Sequence, residues 1–203
     1  MQVGVAEGTG DATGSLTITN GGLTAGDLEV GVSEDAGNST GSLQVAGGAT
    51  LGLLEVGEAT GTGTADGSAT LVGDASVTDV SVSAFGGAGA TGSLTLRDGN
   101  VSVDSLVVGE IFAGEGVPDG RLALENSLLD VNAMVLARGS TLTMQFNGLA
   151  RGSEFGAIDA TDFGLAGGDL ELDFQFLPTI GDQFDLIRLD SPGSTIVGSF
   201  QDV

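Results

Sequence analysis

The sequence reads as an all-β chain wound into a parallel β-helix, a solenoid whose coils each take about 26 residues. A Gly-Ser-aliphatic phrase recurs at Gly14-Ser15-Leu16, Gly41-Ser42-Leu43 and Gly92-Ser93-Leu94, with looser copies at Gly67-Ser68-Ala69 and Gly120-Arg121-Leu122. Along the chain these copies are 27, 26, 25 and 28 residues apart. A second anchor keeps step with the first: Val-Gly at residues 3-4, 30-31, 56-57 and 108-109, with Val82-Ser83 filling the gap. Between the anchors, apolar residues come in pairs spaced by two, the side-chain period of a strand with one buried face.

Each coil carries three such pairs, and so three short strands are expected per coil. The first coil supplies Leu16/Ile18, Leu23/Ala25 and Leu28/Val30; the second, Leu43/Val45, Ala49/Leu51 and Leu54/Val56. The third supplies Ala69/Leu71, Ala75/Val77 and Val80/Val82, and the fourth Leu94/Leu96, Val101/Val103 and Leu106/Val108. Leu122/Leu124, Leu129/Val131 and Met134/Leu136 complete the fifth. Turn formers separate the pairs, among them Asn20-Gly21-Gly22, Gly47-Gly48, Gly73-Asp74 and Asp98-Gly99-Asn100. One coil buries too little to fold alone, whereas stacked coils pair each strand with its equivalent about 4.8 Å away and build a continuous core. A helical fold is excluded, because no segment keeps a 3.6-residue apolar period. A leucine-rich repeat fails because the Asn of Leu16-Thr17-Ile18-Thr19-Asn20 does not recur. A β-sandwich is the remaining rival, and the fixed repeat length argues against it.

Residues 1–137 thus hold five repeat coils, and residues 138–203 are expected to form terminal coils and a cap of the same domain, a small separate β domain being the alternative. Seven of the nine phenylalanines lie in this second part, from Phe146 to Phe200. Leu170 to Phe176 alternates strictly and predicts a strand; Gln183 to Leu189 predicts another after Pro178-Thr179-Ile180-Gly181-Asp182. Large rings suit the last coil of a stack, where nothing further covers the core.

Composition bounds the function. With 28 acidic side chains against 5 arginines, the net charge is −23, which argues against nucleic acid and against an anionic membrane surface. No stretch approaches a membrane span, so this segment is not expected to insert in one. The absence of histidine and cysteine removes the usual general base near neutral pH, thiolate chemistry and zinc ribbons.

Gly-Ser-Leu-Thr-Ile-Thr-Asn-Gly-Gly at residues 14 to 22, with Leu-Glu-Val-Gly at 28 to 31, resembles the glycine-rich repeat of type V autotransporter passenger domains and PEP-CTERM surface proteins. The resemblance covers residues 3 to about 137. It implies a right-handed β-helix, exported by a bacterium to the cell surface or medium, with a structural or adhesive role. Gly-Asp-Gln-Phe-Asp-Leu-Ile and the later Gly198-Ser199-Phe200 resemble the segment that closes such exported β-helices. No autotransporter β-barrel, Val-Pro-Glu-Pro sorting motif or hydrophobic anchor is present. Because the chain opens on Val3-Gly4, the end of a repeat, a segment of a longer array with flanking repeats is expected. Partners consistent with the resemblance are host or extracellular-matrix carbohydrate or protein.

The expected function is therefore a non-catalytic scaffold, with a polysaccharide lyase or hydrolase, or a calcium-dependent extracellular module, as the alternatives. An enzyme needs acidic groups converging on adjacent coils. The outward positions of the first strands, Thr17/Thr19, Gln44/Ala46, Thr70/Val72, Thr95/Arg97 and Ala123/Glu125, pair no carboxylates. Asp104 and Asp130 are expected to stack on the second strand, and Glu29 and Glu55 on the third. Stacked carboxylates repel, and a hard cation relieves that, so Ca²⁺ is the cofactor to consider, with Glu34, Asp35, Asp104, Asp130 and Asp119 as candidate ligands. The calcium nonapeptide itself does not occur; Gly61 to Asp66 comes nearest. An ice-binding Thr-x-Thr face is broken by Gln44/Ala46 and Ala123/Glu125. Outward Val107 and Val135 form an apolar pair, expected to be covered by the C-terminal segment, a partner being the alternative.

Overall fold

The structure is a computed structural model, and it describes residues 1–83, 89–109, 118–190 and 193–203. Two parallel sheets wind around one core. Seven strands make the first: β2 (Ala12–Ile18), β4 (Ser39–Ala46), β6 (Ala65–Val72), β8 (Ala90–Arg97), β10 (Asp119–Glu125), β12 (Ser140–Phe146) and β14 (Asp169–Phe174). The second runs through β1 (Gln2–Val3), β3 (Leu23–Val30), β5 (Ala49–Val56), β7 (Ala75–Val82), β9 (Asn100–Val108), β11 (Leu128–Leu136) and β13 (Ala157–Ala166). It ends on β15 (Ile187–Leu189) and β16 (Thr195–Ser199), which pair with successive halves of β13. The chain alternates between the sheets, so each strand pairs with its equivalent one coil away: the fold is a parallel β-solenoid. No helix occurs among the described residues, and so none is long and apolar enough to cross a membrane.

All fifteen apolar pairs point inward. From Leu28 onward they are nearly inaccessible, while Leu16, Ile18, Leu23 and Ala25 in the first coil are half-buried. The coils differ from expectation in one respect: two strands form per coil, not three. The second and third pairs share one strand, as Leu23/Ala25 and Leu28/Val30 share β3. The inward set changes parity in mid-strand, and the Cα ladder skips the residue at the change: Gly26 with Gly52, Thr78, Asp104, Asn132 and Thr161. The strand bends there without losing its backbone pairing, so a corner expected as a turn is a continuous strand. The side chains still line two faces of the core.

In the first coils a shorter third side is linked by the isolated bridges Ala6 to Ser33 and Ser33 to Ala59. Here Ala6 N–H donates to Val32 O at 2.9 Å and Ser33 N–H to Glu58 O at 2.8 Å.

Both sequence anchors lie where the two sheets pinch together. Gly14, Gly41, Gly67, Gly92 and Gly120 stack in one ladder on the inner face of the first sheet. Against them stand Gly31, Gly57 and Gly109, whose φ angles of +65°, +69° and +83° favour glycine. A Cβ at Gly120 would lie 2.8 Å from Gly109 N and 2.9 Å from Val82 O. Side chains are absent here because backbone meets backbone. Ser83 takes the left-handed position in the third coil, at φ +51°, and its hydroxyl donates to Gly57 O and Asp119 O, both at 3.3 Å.

Beyond residue 137 both ladders continue, Gly120 pairing with Ser140 and Leu129 with Ile158. Phe146 stacks on Phe174 at 4.5 Å between ring centroids, and Phe184 meets Phe146 edge-on at 4.9 Å. The expected strand from Gln183 to Leu189 pairs only over Ile187–Leu189. Its first half leaves the ladder because Phe184 turns over the core, against Phe146, Phe155 and Phe174.

Candidate functional site

Register turns outward side chains into columns along the solenoid, about 4.8 Å between neighbours. On the first sheet one column reads Thr17, Gln44, Thr70, Thr95, Ala123, Thr143, Glu171. The next reads Ala46, Val72, Arg97, Glu125, Gln145, Asp173, with Arg97 and Glu125 ion-paired. These are the positions expected from the sequence. On the second sheet Glu29 stacks on Glu55, also as expected. Gln2 Nε2 donates to Glu29 at 3.0 Å and to Glu7 at 2.8 Å. Burial, and then the neighbouring Glu29, Asp27 and Glu34, raise the Glu55 carboxyl above its ordinary value.

The other expected acidic stack does not form. Asp130 lies between Ser102 and Asp159 in the register, while Asp104 sits at the bend and accepts from Asn132 Nδ2 at 3.0 Å. The coil joining them holds 28 residues, because Val101 pairs with Leu129; a 26-residue count misplaces the partner. The remaining calcium candidates lie elsewhere. Glu34 and Asp35 are on the third side, where Asp35 borders a groove of about 310 Å³ with Gly8, Thr9 and Gly61. Asp119 opens β10 and pairs with Arg121 at 3.0 Å. The five candidates thus occupy four separate places. Among the described residues, no three acidic side chains come together as a metal-binding group.

Two carboxylates, Asp74 and Asp98, border one groove at the corner between the sheets, a place not foreseen as a site. A groove of about 480 Å³ runs past Asp74, Asp98, Asn126 and Arg151. Its geometry comes from turns: Asp98 and Asn126 adopt φ +54° and +49°, the left-handed region that Asp and Asn tolerate better than most residues. Asp74 Oδ1 accepts from Asn100 N–H at 2.9 Å, and Asp98 Oδ1 from Asn126 Nδ2 at 3.2 Å. Asn126 Oδ1 in turn accepts from Asn147 Nδ2 at 2.7 Å, so a polar ladder links three coils. Arg151 Nη2 binds Asp159 Oδ1 at 2.6 Å and Ile158 O at 2.7 Å, and its Nε donates to Asp185 O at 2.9 Å. Asp74 and Asp98 thus brace turns, and Arg151 ties the terminal coil together. The sequence signal was Asp or Asn beside the turn glycines in successive coils.

The outward apolar column was only partly anticipated. Val107 and Val135 are half-buried and stack together as expected, but the C-terminal segment does not lie across them. Instead β16 extends the column, through Gly164 to Val197, which is 65% exposed.

Ladder, core and columns together define a parallel β-solenoid with an acidic, hydrogen-bonded surface. The chain matches no protein-family model, no curated protein and no solved structure.

Proposed function

We propose that this chain is a non-catalytic structural or adhesive scaffold, a rigid segment of an exported bacterial surface or extracellular protein. The observation that carries this reading is the unbroken register: the same side-chain columns run from the first coil to the last, over two sheets that pinch backbone to backbone. Such a stack is a stiff rod, with a first sheet about 30 Å long at the usual strand spacing. Export follows from the resemblance of the glycine-rich repeat to autotransporter and PEP-CTERM surface proteins. A polyanionic, cysteine-free surface suits the same setting.

A carbohydrate-active β-helix is the second reading, favoured by Asp74, Asp98 and Arg151 sharing one groove. Their hydrogen bonds to neighbouring turns and strands argue for a structural role there. Both readings are tested by offering the purified chain soluble polyuronates and neutral glycans. A scaffold leaves them intact, whether or not they are retained on the protein. Release of unsaturated uronides or new reducing ends, lost in Asp74→Asn with Asp98→Asn, refutes the scaffold reading.

A further inference from the structure

We propose that Asn20-Gly21 is a site of spontaneous backbone modification, where Asn20 converts through a succinimide to aspartate and isoaspartate, while the fold protects Asn147-Gly148, the other Asn-Gly pair of the sequence. The reaction brings the Gly21 amide nitrogen onto Cγ of Asn20, an approach that a residue without a side chain leaves open. The nitrogen gives its proton to solvent base and attacks Cγ, the side-chain amide leaves as ammonia, and a five-membered ring closes. One water then opens the ring. Opening at Cγ leaves aspartate on the original backbone; opening at the main-chain carbonyl leaves isoaspartate, whose backbone runs through the former side chain. Ammonia is lost, water is taken up, and either product adds one negative charge to the corner.

Asn20 is placed to take up that geometry. It lies with Gly21 and Gly22 in the corner between β2 and β3, all three exposed, and its side chain makes no hydrogen bond among the described residues. A Cβ at Gly21, at φ +130°, would meet nothing within 4 Å, so no neighbour opposes rotation of this peptide. The next coil faces the corner with Gly47 and Gly48, which carry no side chains. Exposure here is a property of the corner and not of the first coil, because Gly47 and Asp98 are exposed at the same corner of interior coils. Asn147 is held instead. Its Nδ2 donates to Asn126 Oδ1 at 2.7 Å and to Gln145 Oε1 at 3.2 Å, and its N–H donates to Glu154 O at 2.6 Å, which fixes both the side chain and the backbone of the electrophile. Glu154 also packs over Gly148, where a Cβ would collide with its carboxylate. That carboxylate accepts from the N–H groups of Leu149 and Ala150, each at 2.9 Å. A negative charge beside Gly148 opposes loss of its amide proton.

The test incubates the full chain in mildly alkaline buffer, native and in denaturing urea, and follows both sites by peptide mapping with mass spectrometry that separates aspartate from isoaspartate. In the native chain Asn20 is expected to convert about tenfold faster than Asn147, or more. In urea the two should react at similar rates, because only the fold distinguishes them. Asn126→Gly with Gln145→Ala removes both acceptors of the Asn147 side chain and keeps a residue that tolerates positive φ at position 126. With its fold verified by circular dichroism, that variant is expected to convert Asn147 about tenfold faster than the parent. An Asn20 that stays intact in the native chain while the unfolded chain converts overturns the proposal. So does an Asn147 that keeps pace with Asn20 in the native chain.

Discussion

Adding one methyl group at Gly67 should be among the most damaging single substitutions in this protein, although alanine suits a strand at least as well as glycine. A Cβ at Gly67 would fall well inside 3.0 Å of Gly57 N and Val30 O, both backbone atoms of the opposite sheet. Ordinary contact begins near 3.4 Å, so the sheets must part, and each is tied into ladders with the coils on both sides. At Gly120 the corresponding distances are 2.8 and 2.9 Å, which asks for a shift of about half an ångström. At Gly26 a Cβ meets nothing within 4 Å and the backbone is not left-handed. Overpacking costs typically about 1–3 kcal/mol and more where backbone must move, giving an expected loss of about 3 kcal/mol or more for Gly67→Ala and about 1–2 for Gly120→Ala. Gly26→Ala should lie within about 0.5 kcal/mol of the parent, or gain slightly through a stiffer unfolded chain. Urea unfolding followed by circular dichroism gives the order directly. If Gly67→Ala and Gly26→Ala are equally stable, the pinch between the sheets does not constrain the fold and the reading of both anchor motifs is wrong.

Further perturbations address other parts of the molecule. Arg151→Lys should cost about 2–4 kcal/mol, because a lysine cannot reach Asp159, Ile158 O and Asp185 O together; chemical denaturation compares it with Arg121→Lys, an exposed pair expected to cost under about 1 kcal/mol. Phe146→Ala removes the ring at the centre of the terminal cluster and should cost about 3–5 kcal/mol, with Phe184→Ala less severe because that ring is only half-buried. Folding raises the Glu55 carboxyl above its ordinary 4.5, so ionising it opposes folding at neutral pH, and that penalty fades as pH falls through the folded value toward 4.5. Glu55→Gln should therefore stabilise the protein at pH 7, by up to about 1 kcal/mol, and make little difference near pH 4; thermal melts at the two pH values decide it. Millimolar Ca²⁺ should raise the melting temperature no more than Mg²⁺ at equal ionic strength, since the acidic candidates are dispersed and only screening remains. A larger gain with Ca²⁺ would reinstate a specific site.

The core was legible because each coil restates it. Fifteen apolar pairs in phase specify which residues face inward, and stacking equivalent pairs specifies the partners of every strand. Backbone continuity is a different matter. Ala25 and Leu28 both face the core with two residues between them, and that spacing fits either a turn between two strands or one bent strand; the choice depends on backbone hydrogen bonds across coils. The Asp104 error has another origin. Among the five glycine anchors the spacing varies from 25 to 28, so a column must be counted from the apolar anchors of its own coil, and Val101 over Leu129 places Asp130 over Ser102. Arg151 was out of reach because residues 147–156 leave the repeat pattern, and its partners Asp159 and Asp185 lie on separate segments that only the terminal coil brings together.

Function in a solenoid is constrained by the same repetition that builds it. An interior coil has its backbone groups paired above and below and its apolar residues covered on both sides, so what it offers a partner is one outward column among similar ones. A terminal coil is different in kind. Its outer edge has unpaired backbone groups, and its core residues are covered by side chains of the closing segment or left partly open. In this chain Phe184 covers Phe146 and Phe155 while Leu172 stays more than a third exposed, so the cap seals the aromatic end of the last coil and leaves the aliphatic stretch of β14 accessible. The glycine pinch and the repeated core hold the two sheets together along the stack, and they are the physical basis of the proposed rod.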